Sequence, residues 1–306
     1  MNVYVVRHAE PDYARDTLTE KGWREAELLS RRLENIPNGY YYTSPLGRAR
    51  DTASLTLQKV GAQARVCPWL REFDAGYETP AAFHPTGLGW DLLPESWVED
   101  PRYYDPERWF EAPAYASTSI RDVYRDVAGQ FDAVLADHGY RREGHLYRVE
   151  RPNTDNLFFF CHFGVECVLL SRLLDCSPVV LWHHTVALTS SVTKLTTEER
   201  REGKAIFRMS QFGSLSHLDG AGEEPSFFAR FCETCHDGTR GIEPLNLPHR
   251  GRGTAAAVEE GCYGREWQVY CAFSNNSRPL CPSSVSLARA SSPGGEAFLR
   301  GDHYFT

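Results

Sequence analysis

Three short runs constrain this chain more than anything else in it: NVYVV at residues 2–6, YYYT at 40–43 and LFFFC at 157–161. Each is β-branched or aromatic, has strand length, and stops on a polar motif. The motifs are Arg7-His8, Ser44-Pro45-Leu46-Gly47-Arg48 and His162. Segments of helical period lie between the runs. Trp23, Ala26, Leu29, Leu33 and Ile36 predict a helix from Thr19 to Ile36, with Thr17 or Thr19 as cap and Pro37-Asn38-Gly39 as its end. A second helix is expected over Arg48–Val60 and a third strand near Ala64–Trp69. From Ser119, the residues Ile120, Val123, Val127, Phe131 and Val134 trace one apolar helical face. Val165, Val168, Leu169 and Leu173 do so after His162. Leu146–Val149 is expected to pair with 157–161 across 151–156, and 190–195 and 205–209 read as short late strands. Alternating strands and helices predict an α/β fold with a central, mostly parallel sheet flanked by helices.

Two regions break the alternation. Residues 77–116 are rich in Pro, Trp and Tyr without a steady period, and read as an inserted cap. Residues 241–306 mix Gly, Ser, Pro and Arg and read as an irregular or disordered tail behind a main domain over 1–240. The 306 residues carry a net charge of -8, which argues against general binding to nucleic acid or anionic membranes. An anion site must then be a local cationic pocket. The apolar stretch at the start is too short for a signal peptide or a membrane span. Nine cysteines, an odd number with several in apolar surroundings, fit reduced thiols in the cytoplasm. Nothing in the sequence fixes the oligomeric state.

In open α/β sheets, ligands bind beyond the carboxyl ends of strands, so the three motifs are expected to converge. Arg7, Arg48, His8 and His162 would then form a compact phosphate pocket, since the planar guanidinium fork matches phosphate oxygens. An arginine near a helix start is disfavoured by the helix dipole, which also points to an anion there. An imidazole can attack phosphorus in line, and a second can stabilise the equatorial oxygens. A general acid must protonate the leaving alcohol. Glu72, in Leu70-Arg71-Glu72-Phe73, is the best candidate, with Asp74 and Glu78 as substitutes. Neighbouring cations would lower its pKa and burial would raise it; the sequence leaves the balance open.

Arg7-His8-Ala9-Glu10 resembles the RHG signature of the histidine phosphatase superfamily, also called phosphoglycerate mutase-like. Leu18-Thr19-Glu20-Lys21-Gly22 resembles its LTxxG segment, and SPLGRARDTA at 44–53 its SPLxRAxxTA segment. Cys161-His162-Phe163-Gly164 is similar to its second histidine motif. The resemblance implies His8 as nucleophile, Arg7, Arg48 and His162 as the phosphate pocket, Glu72 as proton donor, and neither metal nor other cofactor. It further implies hydrolysis of a small phosphorylated substrate through a phosphohistidine. The chain departs from the pattern at Ala9, at Phe163, and in FDAGYETP after Glu72. The stretch from Glu72 to Tyr77 lacks the ERHYG-like form of the mutases, which makes mutase-type phosphoryl transfer the alternative. A non-catalytic phospholigand-binding module on the same scaffold is the other.

Further residues are secondary. His183-His184 read as packing or surface, and Glu166 as a residue that could orient His162. His84 and Arg102 in the insert have no informative spacing. Cys232-Glu233-Thr234-Cys235-His236 matches a haem-attachment pattern, but without an export signal or a second cysteine pair it reads as neither a haem nor a zinc site.

Overall fold

A computed structural model describes residues 1–76 and 87–226. The chain opens with strand β1 (Asn2–Arg7), a small ribbon of β2 (Pro11–Asp12) and β3 (Thr17–Leu18), and helix α1 (Glu20–Leu33). β4 (Gly39–Thr43), α2 (Gly47–Val60) and β5 (Arg65–Val66) follow. After the insert come α3 (Ile120–Asp137), β6 (Tyr140–Glu143), β7 (Leu146–Val149), β8 (Asn156–Cys161) and α4 (Phe163–Leu174). α5 (Pro178–His184), β9 (Val192–Arg201), β10 (Lys204–Ser214) and α6 (Ser216–Asp219) complete the described residues.

Eight strands form one sheet in the order β5-β4-β8-β1-β9-β10-β7-β6. The first four are mutually parallel, as expected for strands joined through helices. The remaining neighbours pair antiparallel, so the sheet as a whole is mixed. β8 lies between β4 and β1 and is buried along its whole length. That explains why LFFFC is apolar without alternation: both faces of a central parallel strand are covered. Leu157 and Phe159 join the core under α3 and α4, while Phe158 and Phe160 join the core under α1 and α2.

The expected pairing of Leu146–Val149 with 157–161 is corrected. β7 pairs with β6 and β10 instead. Glu143 faces Leu146 in the register, leaving Gly144-His145 as a two-residue turn, and Gly144 has φ 57°. A tight hairpin therefore takes β7, while β8 takes two parallel partners in the sheet centre. The late strands are longer than their apolar stretches because their polar ends run into solvent.

At the start of α1, Thr19 is the cap: its hydroxyl accepts from the Gly22 amide at 3.0 Å. Thr17 lies in β3, its hydroxyl donating to Asp51. Gly22 has a second reason to be glycine, since a Cβ there would lie 2.1 Å from the Glu10 carbonyl oxygen. The loop after β1 is thereby pressed onto the first turn of α1.

Of the insert, residues 87–116 are described. They form short 3₁₀ turns around an aromatic layer in which Trp109, Tyr103 and Tyr115 are buried. Trp109 meets Trp182 of α5 edge-on, with ring centroids 5.7 Å apart. The rest of the insert and the tail at 241–306 lie outside the described residues. Among the described residues, no helix is long and apolar enough to cross a membrane.

Phe159 stacks on Tyr42 at 4.9 Å and meets Phe131 edge-on at 5.3 Å. Phe159→Ala should cost about 3–5 kcal/mol of unfolding free energy. Thr19→Ala should cost about 1 kcal/mol through the lost cap. Urea unfolding of both variants measures the difference.

Candidate active site

The parallel strands end level. Phe160 is opposite Val6 on one side and Thr43 on the other. Arg7-His8, Ser44 and Cys161-His162 therefore emerge along one edge of the sheet. The His8 main chain is fixed on both sides: its amide donates to the Cys161 carbonyl at 3.0 Å and its carbonyl accepts from Ser190 at 2.9 Å. The His8 and His162 rings lie 5.1 Å apart between centroids, inclined at 57°. Arg7, His8, Arg48 and His162 are each no more than 5% exposed. The four residues expected to form the pocket are thus brought together.

The protonation of His8 follows from its partners. Nδ1 lies 2.8 Å from the Ala9 carbonyl oxygen, which can only accept, so Nδ1 carries the hydrogen and Nε2 keeps its lone pair. Burial, and then the charges of Arg48 and Arg7, hold the imidazole well below the ordinary histidine pKa. His162 is held down in the same way, by burial first and then by Arg48, His8 and Arg7. Its Nε2 shares a 2.8 Å hydrogen bond with the Ser44 hydroxyl, and its Nδ1 is buried without a partner.

Arg7 donates to the Ala187 carbonyl and lies over the Phe163 ring. Arg48 donates to Asp16 at 2.8 Å and lies over Tyr13. The second Asp16 oxygen accepts from the Gly47 amide at 2.7 Å. The anion that compensates an arginine at this helix start is therefore Asp16, a residue of the protein itself. The Nε atoms of both arginines remain buried without a partner. An unpaired buried donor costs about 1–3 kcal/mol, a cost that an oxyanion ligand could relieve.

Glu72 lies beside this cluster. Its Oε1 accepts from the Phe73 amide at 2.8 Å and from the Val165 amide, in the first turn of α4, at 3.3 Å. Its pKa is raised: burial outweighs its two hydrogen bonds and the opposing charges of Arg48 and Arg7. Asp74 is half-exposed and paired with Arg71 at 3.5 Å. Glu78 lies outside the described residues.

Phe163 begins α4 and places Gly164 in the first turn. A Cβ on Gly164 would lie 2.7 Å from both Glu72 Oε1 and the Trp90 indole nitrogen. The Gly164 carbonyl also accepts from the Trp182 indole at 3.0 Å. The carboxyl, the insert and α5 thus close around one glycine.

The secondary residues separate. Glu166 is buried with a pKa pushed up to about 7, chiefly by burial, and its hydrogen-bond donor is Thr193 at 2.6 Å rather than His162. His183 ties the insert to α5: Nε2 accepts from the Leu92 amide at 2.9 Å and Nδ1 donates to the Val179 carbonyl at 2.8 Å. His184 packs against Trp97. Arg102 pairs with Asp100 within its own turn. His84 and the 232–236 motif lie outside the described residues. Sequence reasoning missed Asp16 and assigned no role to Ser44 or to Thr52, whose hydroxyl accepts from the Ala9 amide at 2.9 Å. Ser44 and Thr52 lie within the SPLGRARDTA segment; Asp16 contacts a residue 32 positions away and has no local signal.

Residues 3–206 match the family model of the histidine phosphatase superfamily, branch 1. The chain belongs to this superfamily. It is 26% identical over 198 residues to the adenosylcobalamin/alpha-ribazole phosphatase of Salmonella typhimurium, covering 61% of this chain and 86% of that protein. A shorter match, 34% identical over 85 residues, joins it to a probable phosphoglycerate mutase of Cronobacter sakazakii, covering 25% of this chain and 40% of that one. Among solved structures it is similar to the alpha-ribazole phosphatase of Shigella flexneri, at 19% identity and a TM-score of 0.45, covering 70% of this chain and 97% of that one. A mutant of phosphoserine phosphatase from Entamoeba histolytica, in complex with phosphoserine, gives 15% identity and a TM-score of 0.47, with 71% and 98% covered.

Gly164→Ala should displace the Glu72 carboxyl and, with Glu72 in its expected role of proton donor, lower kcat on an aryl phosphate by roughly tenfold or more. Steady-state kinetics check it. Activity that needs neutral His8 and protonated Glu72 should fall on the acid side through a pKa below the ordinary histidine value. It should fall on the alkaline side through a carboxyl pKa above the ordinary one. A kcat/KM profile against pH reads both limbs, and Glu72→Gln should remove the alkaline one.

Proposed function

We propose that this protein hydrolyses a small phosphate monoester through a phosphohistidine on His8, without a metal or other cofactor, in the cytoplasm. The observation that carries this reading is the His8 ring: neutral, with Nδ1 held by Ala9 and Nε2 left with its lone pair, in the field of two buried arginines. The phosphatases among its relatives support the hydrolytic direction.

In the proposed cycle, Arg7, Arg48 and His162 hold the phosphoryl oxygens. His8 Nε2 attacks phosphorus in line as the bond to the leaving oxygen breaks, and the Glu72 proton passes to that oxygen. The alcohol departs. The Glu72 carboxylate then takes a proton from a water, whose oxygen attacks phosphorus and breaks the P–N bond. Inorganic phosphate is released, with His8 neutral and Glu72 protonated again. Each group ends in the state in which it began.

The test is incubation with a generic aryl phosphate in EDTA, beside His8→Ala. The unaltered protein should turn over the substrate and yield an acid-labile phosphoenzyme on rapid quench. His8→Ala should give no phosphoenzyme and lose roughly 10³-fold or more in kcat/KM. Turnover kept by the variant would overturn the nucleophile, and turnover abolished by EDTA would overturn the metal-free reaction.

A further inference from the structure

In-line displacement places the leaving oxygen opposite the attacking nitrogen, and a general acid must come within about 2.6–3.2 Å of that oxygen. The alcohol therefore leaves on the Glu72 side of the phosphate, and the rest of its skeleton must continue from there. Glu72 is also part of the wall of a groove of about 420 Å³ between the segment following β5 and helix α3. Trp69, Val123 and Val127 supply its apolar wall, and Arg71, Asp126 and Gln130 its exposed polar rim. The Trp69 ring is fixed from behind by Phe131 and Phe159, each with its centroid 6.3 Å away. Arg71 is also one of the charges that hold the His162 imidazole down, so rim and phosphate cluster lie within electrostatic reach of each other.

The size of the groove decides between classes of alcohol. A volume of about 420 Å³ falls in the range of roughly 300–1,000 Å³ typical of sites for drug-sized ligands. A three-carbon alcohol would leave most of the apolar wall in contact with water. A ring-bearing alcohol would cover it, with its polar edge at the rim. We propose that this groove is the leaving-group subsite, and that it selects monoesters of a bulky, ring-bearing alcohol of nucleoside size whose hydrogen-bond donors face Asp126 and Gln130. The inference rests on Glu72 as the proton donor to the leaving oxygen.

Binding and turnover separate the two claims. His8→Ala protein, which lacks the nucleophile, is titrated by calorimetry with a nucleoside 5′-monophosphate and with glycerol phosphate. The nucleoside monophosphate should bind at least tenfold more tightly. Asp126→Trp and Gln130→Trp, each added to His8→Ala, fill the groove from exposed helix positions that tolerate the change. Loss of the tenfold preference in either supports the subsite. A preference below tenfold in the parent, or one that persists in both tryptophan variants, overturns it. Failure of the phosphatase reading shows elsewhere, as absence of turnover of aryl phosphate, nucleoside monophosphate and glycerol phosphate alike by the unaltered protein.

Discussion

Arg7 and Arg48 keep their charges almost wholly out of solvent, and the chemistry of the site depends on what those charges do to their neighbours. Burial penalises the ionised form of every group around them. At an imidazole, the arginine field acts in the same direction as burial, so His8 and His162 are both driven to the neutral form. At a carboxyl the two effects oppose, and at Glu72 burial prevails. One environment thus lowers the histidine pKa values and raises that of the carboxyl. No separate device is needed for each group.

The sheet makes that concentration of charge tolerable. Strand ends at one level bring the groups together without long loops, and the starts of α2 and α4 add amide hydrogens around them. Asp16 and Ala187 take one guanidinium hydrogen bond each. Buried nitrogens left without partners on Arg7, Arg48 and His162 keep the cluster short of full satisfaction. A site organised this way holds back stability that a ligand of the right charge can return.

Much of this was legible in the sequence, for a physical reason. Strands buried on both faces must be apolar throughout, so a charged or polar motif at the end of one stands out, as Arg7-His8 and His162 do. Thr19 was one of two threonines that could be read as the cap of α1, because a cap demands a short polar side chain. The position of Leu146–Val149 could not, because a short strand whose residues alternate between exposed and buried carries no mark of its partner, and the tight turn before it decides the pairing. The pKa of Glu72 was equally illegible: its direction depends on how much solvent the folded chain excludes. Asp16 was missed because its partner is distant in the chain, and loop aspartates are common.

β8 couples folding to the geometry of the site in a way that the clustered side chains alone do not reveal. Its phenylalanines alternate between two cores, and His162 is the residue that follows its last position. A slip of one residue against β1 and β4 would exchange Phe158 and Phe160 with Leu157 and Phe159, and carry His162 about 3.3 Å from its place opposite His8. Molecules folded in the wrong register would still be compact, yet they would lack the phosphate pocket proposed above. The fraction of a preparation that binds an oxyanion is therefore a gauge of how much of it has its central sheet correctly threaded.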